Sequence, residues 1–190
     1  MRCITCESFS WQIICKTCQS TLLTPTLNKR QLSDDFFVYS FYSYEELQDL
    51  LNSKYEFYGD KVFNILAQLS FAKFAQEFKY EENIISIPID DHTRHEFSQS
   101  AILARHTKST YIKPTYSTLK ATNKIKYAGK DLEFRQKNPR KFIYSGKSDI
   151  KVILIDDLVT TGLTLIEARK KLNQHGCETL FALTLCDAKF

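Results

Sequence analysis

No stretch of this chain is apolar for anything near the length of a membrane span, and its N-terminus has no apolar core of a signal peptide. Both absences lead to the expectation of a cytoplasmic protein that does not span a membrane. No Gly-x4-Gly-Lys-Ser/Thr run occurs anywhere, which excludes a P-loop. Internal repeats and low-complexity segments are missing too, so the 190 residues have room for one sizeable α/β core plus a small appendage. What is present is ordinary in bulk: 43% hydrophobic and 25% charged residues, as in a soluble domain.

The most informative segment is Val152-Ile153-Leu154-Ile155-Asp156-Asp157-Leu158-Val159-Thr160-Thr161-Gly162-Leu163-Thr164. Four apolar residues run into two carboxylates and then into a small hydroxyl- and glycine-containing loop. That order predicts a buried parallel strand, a turn at its carboxyl end and the start of a helix, the edge at which open α/β sheets bind ligands. The loop Thr160-Thr161-Gly162 would aim N–H groups and hydroxyls at an anion, helped by the helix N-terminus behind it. Asp156 and Asp157 would repel a phosphate and so suit a sugar diol or a magnesium ion beside it. Phosphoribosyl pyrophosphate, with its 5-phosphate, ribose diol and metal-bound pyrophosphate, satisfies the whole segment. An apolar strand ending in two Asp also occurs in many α/β proteins, but a receiver-type domain would carry its acidic pair near the N-terminus and lacks this Thr-Thr-Gly turn. The segment resembles the diphosphate-sugar signature of type I phosphoribosyltransferases.

Six cysteines are present, four of them in the pattern C-x2-C-x8-C-x2-C: Cys3, Cys6, Cys15 and Cys18. Each C-x2-C turns the chain so that two thiolates converge, and four soft thiolates with no open position indicate structural Zn2+. Two disulfides are the alternative, which a cytoplasmic address disfavours. Ile4, Trp11, Ile13 and Ile14 are candidates to pack around the metal. Cys177 and Cys186 read as buried small hydrophobes.

Further along, Phe36–Tyr42 suits a strand and Tyr44–Leu51 a short helix; Val62–Phe78 has the spacing of one amphipathic helix. Ile84–Ile87 reads as the first strand of the central sheet, ended by Pro88. Ser98–Arg105 suggests a helix and Tyr111-Ile112 a strand edge. Lys151–Asp156, Leu163–Asn173 and Thr179–Leu185 form a strand-helix-strand unit.

Charge is uneven: Arg105 to Lys147 holds twelve Lys or Arg against two acids, in a chain of net charge +4. Tyr111, Tyr116, Tyr127, Phe134, Phe142 and Tyr144 interleave with those cations. Such a segment suits either a groove for single-stranded nucleic acid or a hairpin whose rings pack inward. Lys54 reads either as a cation closing a helix or as a ligand contact, and Arg94 as a solvated loop cation or a pyrophosphate contact. Asp90 and Asp91 read as a turn-forming pair.

Lys54-Tyr55 with Gly59-Asp60, Ile87-Pro88-Ile89, Arg94, Phe97 and Gln99, Arg135-x2-Asn138-Pro139, the Asp-Asp-x2-Thr-Thr-Gly turn and the four cysteines occur in one order. Over essentially its whole length the chain resembles the ComF/ComFC family of competence proteins. The resemblance implies an α/β fold with a mostly parallel central sheet of type I phosphoribosyltransferase type. It further implies a zinc knuckle at residues 1–30, a phosphoribosyltransferase-like domain at 31–190 and a basic mobile loop or hairpin at about 106–148. Asp156 and Asp157 would hold ribose hydroxyls and Mg2+. Thr160, Thr161, Gly162 and Thr164 would cradle the 5-phosphate, the turn after Pro88, with Arg94, would face the pyrophosphate, and Val159, Leu163 and Lys54 would complete the phosphoribosyl pyrophosphate site. Family membership implies DNA uptake in natural transformation, with single-stranded DNA and uptake-machinery proteins at the inner membrane as partners. A working phosphoribosyltransferase of nucleotide salvage is the alternative. The chain has His95-Glu96-Phe97-Ser98-Gln99 where the family pattern has Arg-Gly-Phe-Asn-Gln.

Overall fold

Alternation of buried and half-buried side chains along Phe36-Phe37-Val38-Tyr39-Ser40, and an unbroken buried run Val152-Ile153-Leu154-Ile155, mark two kinds of strand in this protein. The first belongs near a sheet edge and the second to a centre covered on both faces. The computed structural model describes residues 1–89, 97–123 and 132–190, with the backbone alone for residues 132, 135 and 136.

In chain order the elements are α1 (Lys16–Leu22), β1 (Asn28–Ser33), β2 (Phe36–Ser43), α2 (Tyr44–Asn52), a 3-10 turn (Ser53–Tyr55), α3 (Gly59–Leu69) and α4 (Phe71–Glu77). Then come β3 (Ile84–Pro88), α5 (Gln99–His106), β4 (Ile112–Pro114), β5 (Leu119–Ala121), α6 (Leu132–Lys137), β6 (Phe142–Tyr144), β7 (Lys151–Val159), α7 (Leu163–Asn173) and β8 (Glu178–Asp187). Six strands form one sheet in the order β1-β2-β8-β7-β3-β4, and β5 and β6 pair antiparallel in a separate ribbon. Within the six, β1 runs antiparallel to β2, and the other described pairings are parallel. The fold is therefore α/β with a mostly parallel central sheet.

Strand parity divides the core. Ile153 and Ile155 pack on one face with Leu47, Phe63 and Leu103, while Val152 and Leu154 face Leu165, Ala168 and Leu172 of α7 on the other. Each such side chain taken from water contributes about 1.5–3 kcal/mol, so both layers are needed to hold β7 in place. The first of these clusters also contains Cys3, Ile13, Ile14, Cys18 and Leu23, packed with Phe41 and Tyr42. Tyr42 donates its hydroxyl hydrogen bond to the Leu23 carbonyl at 3.0 Å.

Several sequence expectations need correction. The helix expected over Val62–Phe78 is two helices meeting at Ser70, whose backbone is distorted (φ −115°, ψ −75°) and whose hydroxyl donates to the Leu66 carbonyl at 2.6 Å. The central sheet does not begin at Ile84; β1 and β2 precede it, with β2 parallel to β8. Trp11 and Ile4 do not pack around the cysteines: Trp11 is 90% exposed and pairs edge-on with exposed Phe9, whereas Ile13 and Ile14 are buried as expected. Phe142 and Tyr144 are also buried, which removes both from any stacking surface, while Tyr116 is exposed and Tyr127 lies outside the described residues.

Candidate phosphoribosyl and metal sites

The strand expected over Lys151–Asp156 continues past both acids. β7 runs to Val159, with Asp156 paired to Thr184 and Leu158 to Cys186 of β8. Successive strand residues point to opposite faces, so the two carboxylates diverge. Asp157 faces the helical layer of α2, where Lys54 Nζ lies 3.2 Å from its Oδ2, both side chains half-buried. That contact brings Lys54 to the acidic pair and gives it a role other than closing a helix. Burial lowers the Lys54 pKa, but Asp157, aided by Tyr55 and Asp156, outweighs it and leaves the lysine above its ordinary value.

Asp156 faces the other layer. Burial, then the neighbouring Asp157 charge, raise its pKa well above the usual carboxylate range, against a lowering influence from Arg140. One of its oxygens accepts a hydrogen bond from the Asp157 N–H at 2.9 Å. A carboxylate so placed has unmet demand for positive charge or hydrogen-bond donors, which a sugar diol or a hard cation supplies. Magnesium takes oxygen ligands and commonly uses one or two carboxylates beside substrate phosphates, so the donor set fits it.

Immediately beyond, Thr160 to Gly162 form the turn into α7. Gly162 has φ +81°, which favours glycine, and a Cβ there would stand 2.6 Å from Leu32 Cδ2. The Gly162 carbonyl accepts from Ile166 N at 3.0 Å, and Thr161 Oγ1 from Leu163 N at 3.4 Å, starting the helix. Val159, Leu163 and Thr164 therefore flank a turn whose amides lie at the carboxyl edge of the sheet. Pro88 ends β3 one strand over, in register with Ile155, and the next amide, Ile89 N, donates to the Ile155 carbonyl at 2.8 Å. Arg94, with Asp90, Asp91, His92 and His95, lies outside the described residues, as do Lys124, Lys126 and Lys130.

Sequence reasoning missed two residues here. Arg30 of β1 donates from Nε and Nη2 to Asp187 (2.5 and 3.0 Å) and from Nη2 to the Thr160 carbonyl (3.0 Å). Asp187 ends β8 and is 3% exposed. The partners stand 157 positions apart, and no local pattern links them; pairing β1 into the sheet is what brings them together.

The second site is the cysteine cluster. The four Sγ atoms lie within 4.8 Å of one another, and Cys6 and Cys15 are 3.7 Å apart. A tetrahedral zinc with bonds of about 2.3 Å sets its sulfurs about 3.8 Å apart, so the spacing is compatible with structural zinc. All six cysteines are free thiols. Cys15 N donates to Cys3 Sγ at 3.2 Å and Cys18 N to Cys15 Sγ at 3.4 Å, which orients the thiolates. Burial raises the Cys3 thiol, but the N–H groups of Cys15, Cys6 and Thr5 outweigh it and bring it down to about 6. Cys18, hydrogen-bonded to Cys6 and buried, is pushed up to about 12. Thiols this close oppose one another's ionisation unless a cation lies among them. Among the described residues, no helix is long and apolar enough to cross a membrane.

No family model matches the sequence, and no curated protein matches it. Solved structures do. The chain is similar to Leishmania donovani UMP synthase, at 19% identity over 66% of this chain and 22% of that one, with a TM-score of 0.40. It is similar to a Staphylococcus aureus hypoxanthine phosphoribosyltransferase at 14% identity, over 67% of this chain and 64% of that one, with a TM-score of 0.43. A Trypanosoma brucei adenine phosphoribosyl transferase, solved with AMP, pyrophosphate and ribose-5-phosphate, aligns at 12% identity over 86% and 87% of the two chains, with a TM-score of 0.45. The chain thus spans about a fifth of the first of these proteins and just under two thirds of the second.

Proposed function

We propose that this chain binds phosphoribosyl pyrophosphate together with magnesium at the carboxyl end of β7. One observation carries the reading: a raised, partly buried Asp156 and a lysine-paired Asp157 are followed without interruption by the Thr160–Gly162 turn and the N-terminus of α7. Asp156 and Asp157 take the ribose hydroxyls and the metal-bound waters. Val159, Thr160, Thr161, Gly162, Leu163 and Thr164 take the 5-phosphate, where the helix N-terminus favours negative charge. Lys54 and Pro88 lie on the side taken by the pyrophosphate, and the ComF/ComFC resemblance adds Arg94 to that group. When bound, magnesium supplies neutralisation of the pyrophosphate charge. Should the C1–oxygen bond break, the electron pair would leave with pyrophosphate, Asp156 and Asp157 would stabilise the positive ribosyl centre, and the lone pair of an acceptor would form the new bond to C1.

The place of this binding in the cell comes from the ComF/ComFC resemblance: a cytoplasmic protein of DNA uptake, working with single-stranded DNA and with partners at the inner membrane. The four-cysteine knuckle holds one structural zinc.

Calorimetric titration with phosphoribosyl pyrophosphate, with and without magnesium, tests the reading. Wild type binds and the Asp156→Ala/Asp157→Ala variant does not; equal heats from both would end the proposal. Adding candidate acceptors and measuring pyrophosphate release separates a working phosphoribosyltransferase of nucleotide salvage from a binding protein. A DNA role requires affinity for single strands that falls steeply with salt.

A further inference from the structure

The ribbon of β1 and β2 holds the Thr160–Gly162 turn at two points and the helix behind it at a third. Arg30 spans the Thr160 carbonyl and both oxygens of Asp187. Leu32 fills the space where a Cβ on Gly162 would go. At the tip of the ribbon, Asp35 accepts from Arg169 of α7 through both carboxylate oxygens, at 2.7 and 2.6 Å. The Arg169 guanidinium also lies 4.9 Å from the centre of the Phe36 ring. The helix that starts at this turn is therefore tied to the same ribbon that holds the turn itself.

The Arg30 contact has a directional consequence. The peptide between Thr160 and Thr161 is trans, so its carbonyl and the Thr161 N–H point opposite ways. With the carbonyl held against the guanidinium, the N–H is directed away from Arg30. Left unheld, the peptide could rotate and present its carbonyl oxygen to the anion, which would repel it. A planar fork suits this task, since it reaches a backbone oxygen and a carboxylate at once, and Asp187 fixes the fork in turn through a charge-assisted pair.

We infer that Arg30 is a positioning residue for the anion-binding turn: it acts through the Thr160–Thr161 peptide, braced by Asp187 and Leu32, and sets affinity for the 5-phosphate without touching it. This rests on the phosphoribosyl reading above. A turn that holds its competent arrangement only about a tenth of the time binds about tenfold more weakly.

The test uses the whole zinc-loaded chain in two readouts: hydrogen exchange of the 158–164 segment, and calorimetric titration with ribose 5-phosphate and with phosphoribosyl pyrophosphate. Arg30→Met alone would strand the Asp187 charge in the interior and could prevent folding, so it is paired with Asp187→Asn. The double variant should exchange the 158–164 amides at least about tenfold faster while Val152–Ile155 stays protected, and both ligands should weaken by the same factor, about tenfold. Arg30→Lys should fail to restore either readout, because one ammonium cannot replace the fork. Unchanged exchange in 158–164, or full rescue by lysine, would overturn the inference. So would a wild type that binds both sugar phosphates and a double variant that binds them equally well. A wild type that bound neither would refute the phosphoribosyl reading instead, and the exchange measurement would still decide whether Arg30 holds the turn.

Discussion

Asp156→Asn should make the protein more stable at neutral pH while removing its ligand. The side chain keeps its shape and can still accept the Asp157 N–H, so the change isolates charge. In the folded protein burial and the Asp157 charge raise the Asp156 pKa well above the carboxylate value of 3.8. Like charges on neighbouring side chains repel by on the order of 2–3 kcal/mol at an effective dielectric constant of about 20. Arg140, and the Lys54 paired with Asp157, offset part of that, leaving an expected gain of about 1–2 kcal/mol for the neutral side chain, the size found when a charge kept for function is removed. For a chain of this length the gain corresponds to a melting temperature about 2–8 °C higher. The sign of the pH dependence follows from linkage: the native state binds the Asp156 proton more tightly than the unfolded chain does. Wild-type stability is therefore penalised increasingly as pH rises from the unfolded value toward the raised one, and the penalty is absent below about pH 4. Urea melts of both proteins at pH 4 and pH 7.5 read this directly, alongside titration with phosphoribosyl pyrophosphate. A variant less stable than wild type at pH 7.5, or an advantage equal at both pH values, would refute the reasoning.

Purified protein should contain about one zinc per chain, and Cys3→Ser should bring that to near none and lower the melting temperature by roughly 10 °C or more, read by metal analysis and calorimetry. Gly162→Ala should destabilise by about 2 kcal/mol in urea melts, since it forces a left-handed backbone on alanine and drives its Cβ into Leu32. Lys54→Met should lower stability by about 1–2 kcal/mol at pH 7. Because the folded lysine pKa is raised above 10.5, that difference is fully present below 10.5 and is lost as pH climbs through the raised value, which melts at pH 7 and 11 would show.

The strand-helix-strand unit at the carboxyl end was legible because its signals are local. Val152–Ile155 is a buried apolar run, Gly162 marks the turn beyond the strand, and Leu165, Ala168 and Leu172 recur at helical spacing. The cysteine cluster was legible for the same reason: its geometry is written in its spacing. What escaped depended on tertiary partners. Acidic residues seldom continue a strand, yet β8 pairs with β7 through Val159 and carries Asp156 and Asp157 with it. Ser70 looked like one polar position in a long helix, but its back-bond to Leu66 splits that helix in two. Trp11 looked like core because it is large and apolar, yet the knuckle is too small to enclose it. Lys54 and Arg30 gained their roles from contacts 103 and 157 residues away.

The burial of Cys3 and Cys18 has a consequence beyond shape. These thiols close one end of the larger apolar cluster, with Ile13, Ile14 and Leu23 wedged against Phe41 and Tyr42. A chain synthesised while metal is scarce would leave those side chains facing water, where proteases and chaperones recognise them. On the zinc reading proposed above, the abundance of the protein, and so the capacity of whatever process it serves, would then follow the supply of a trace nutrient.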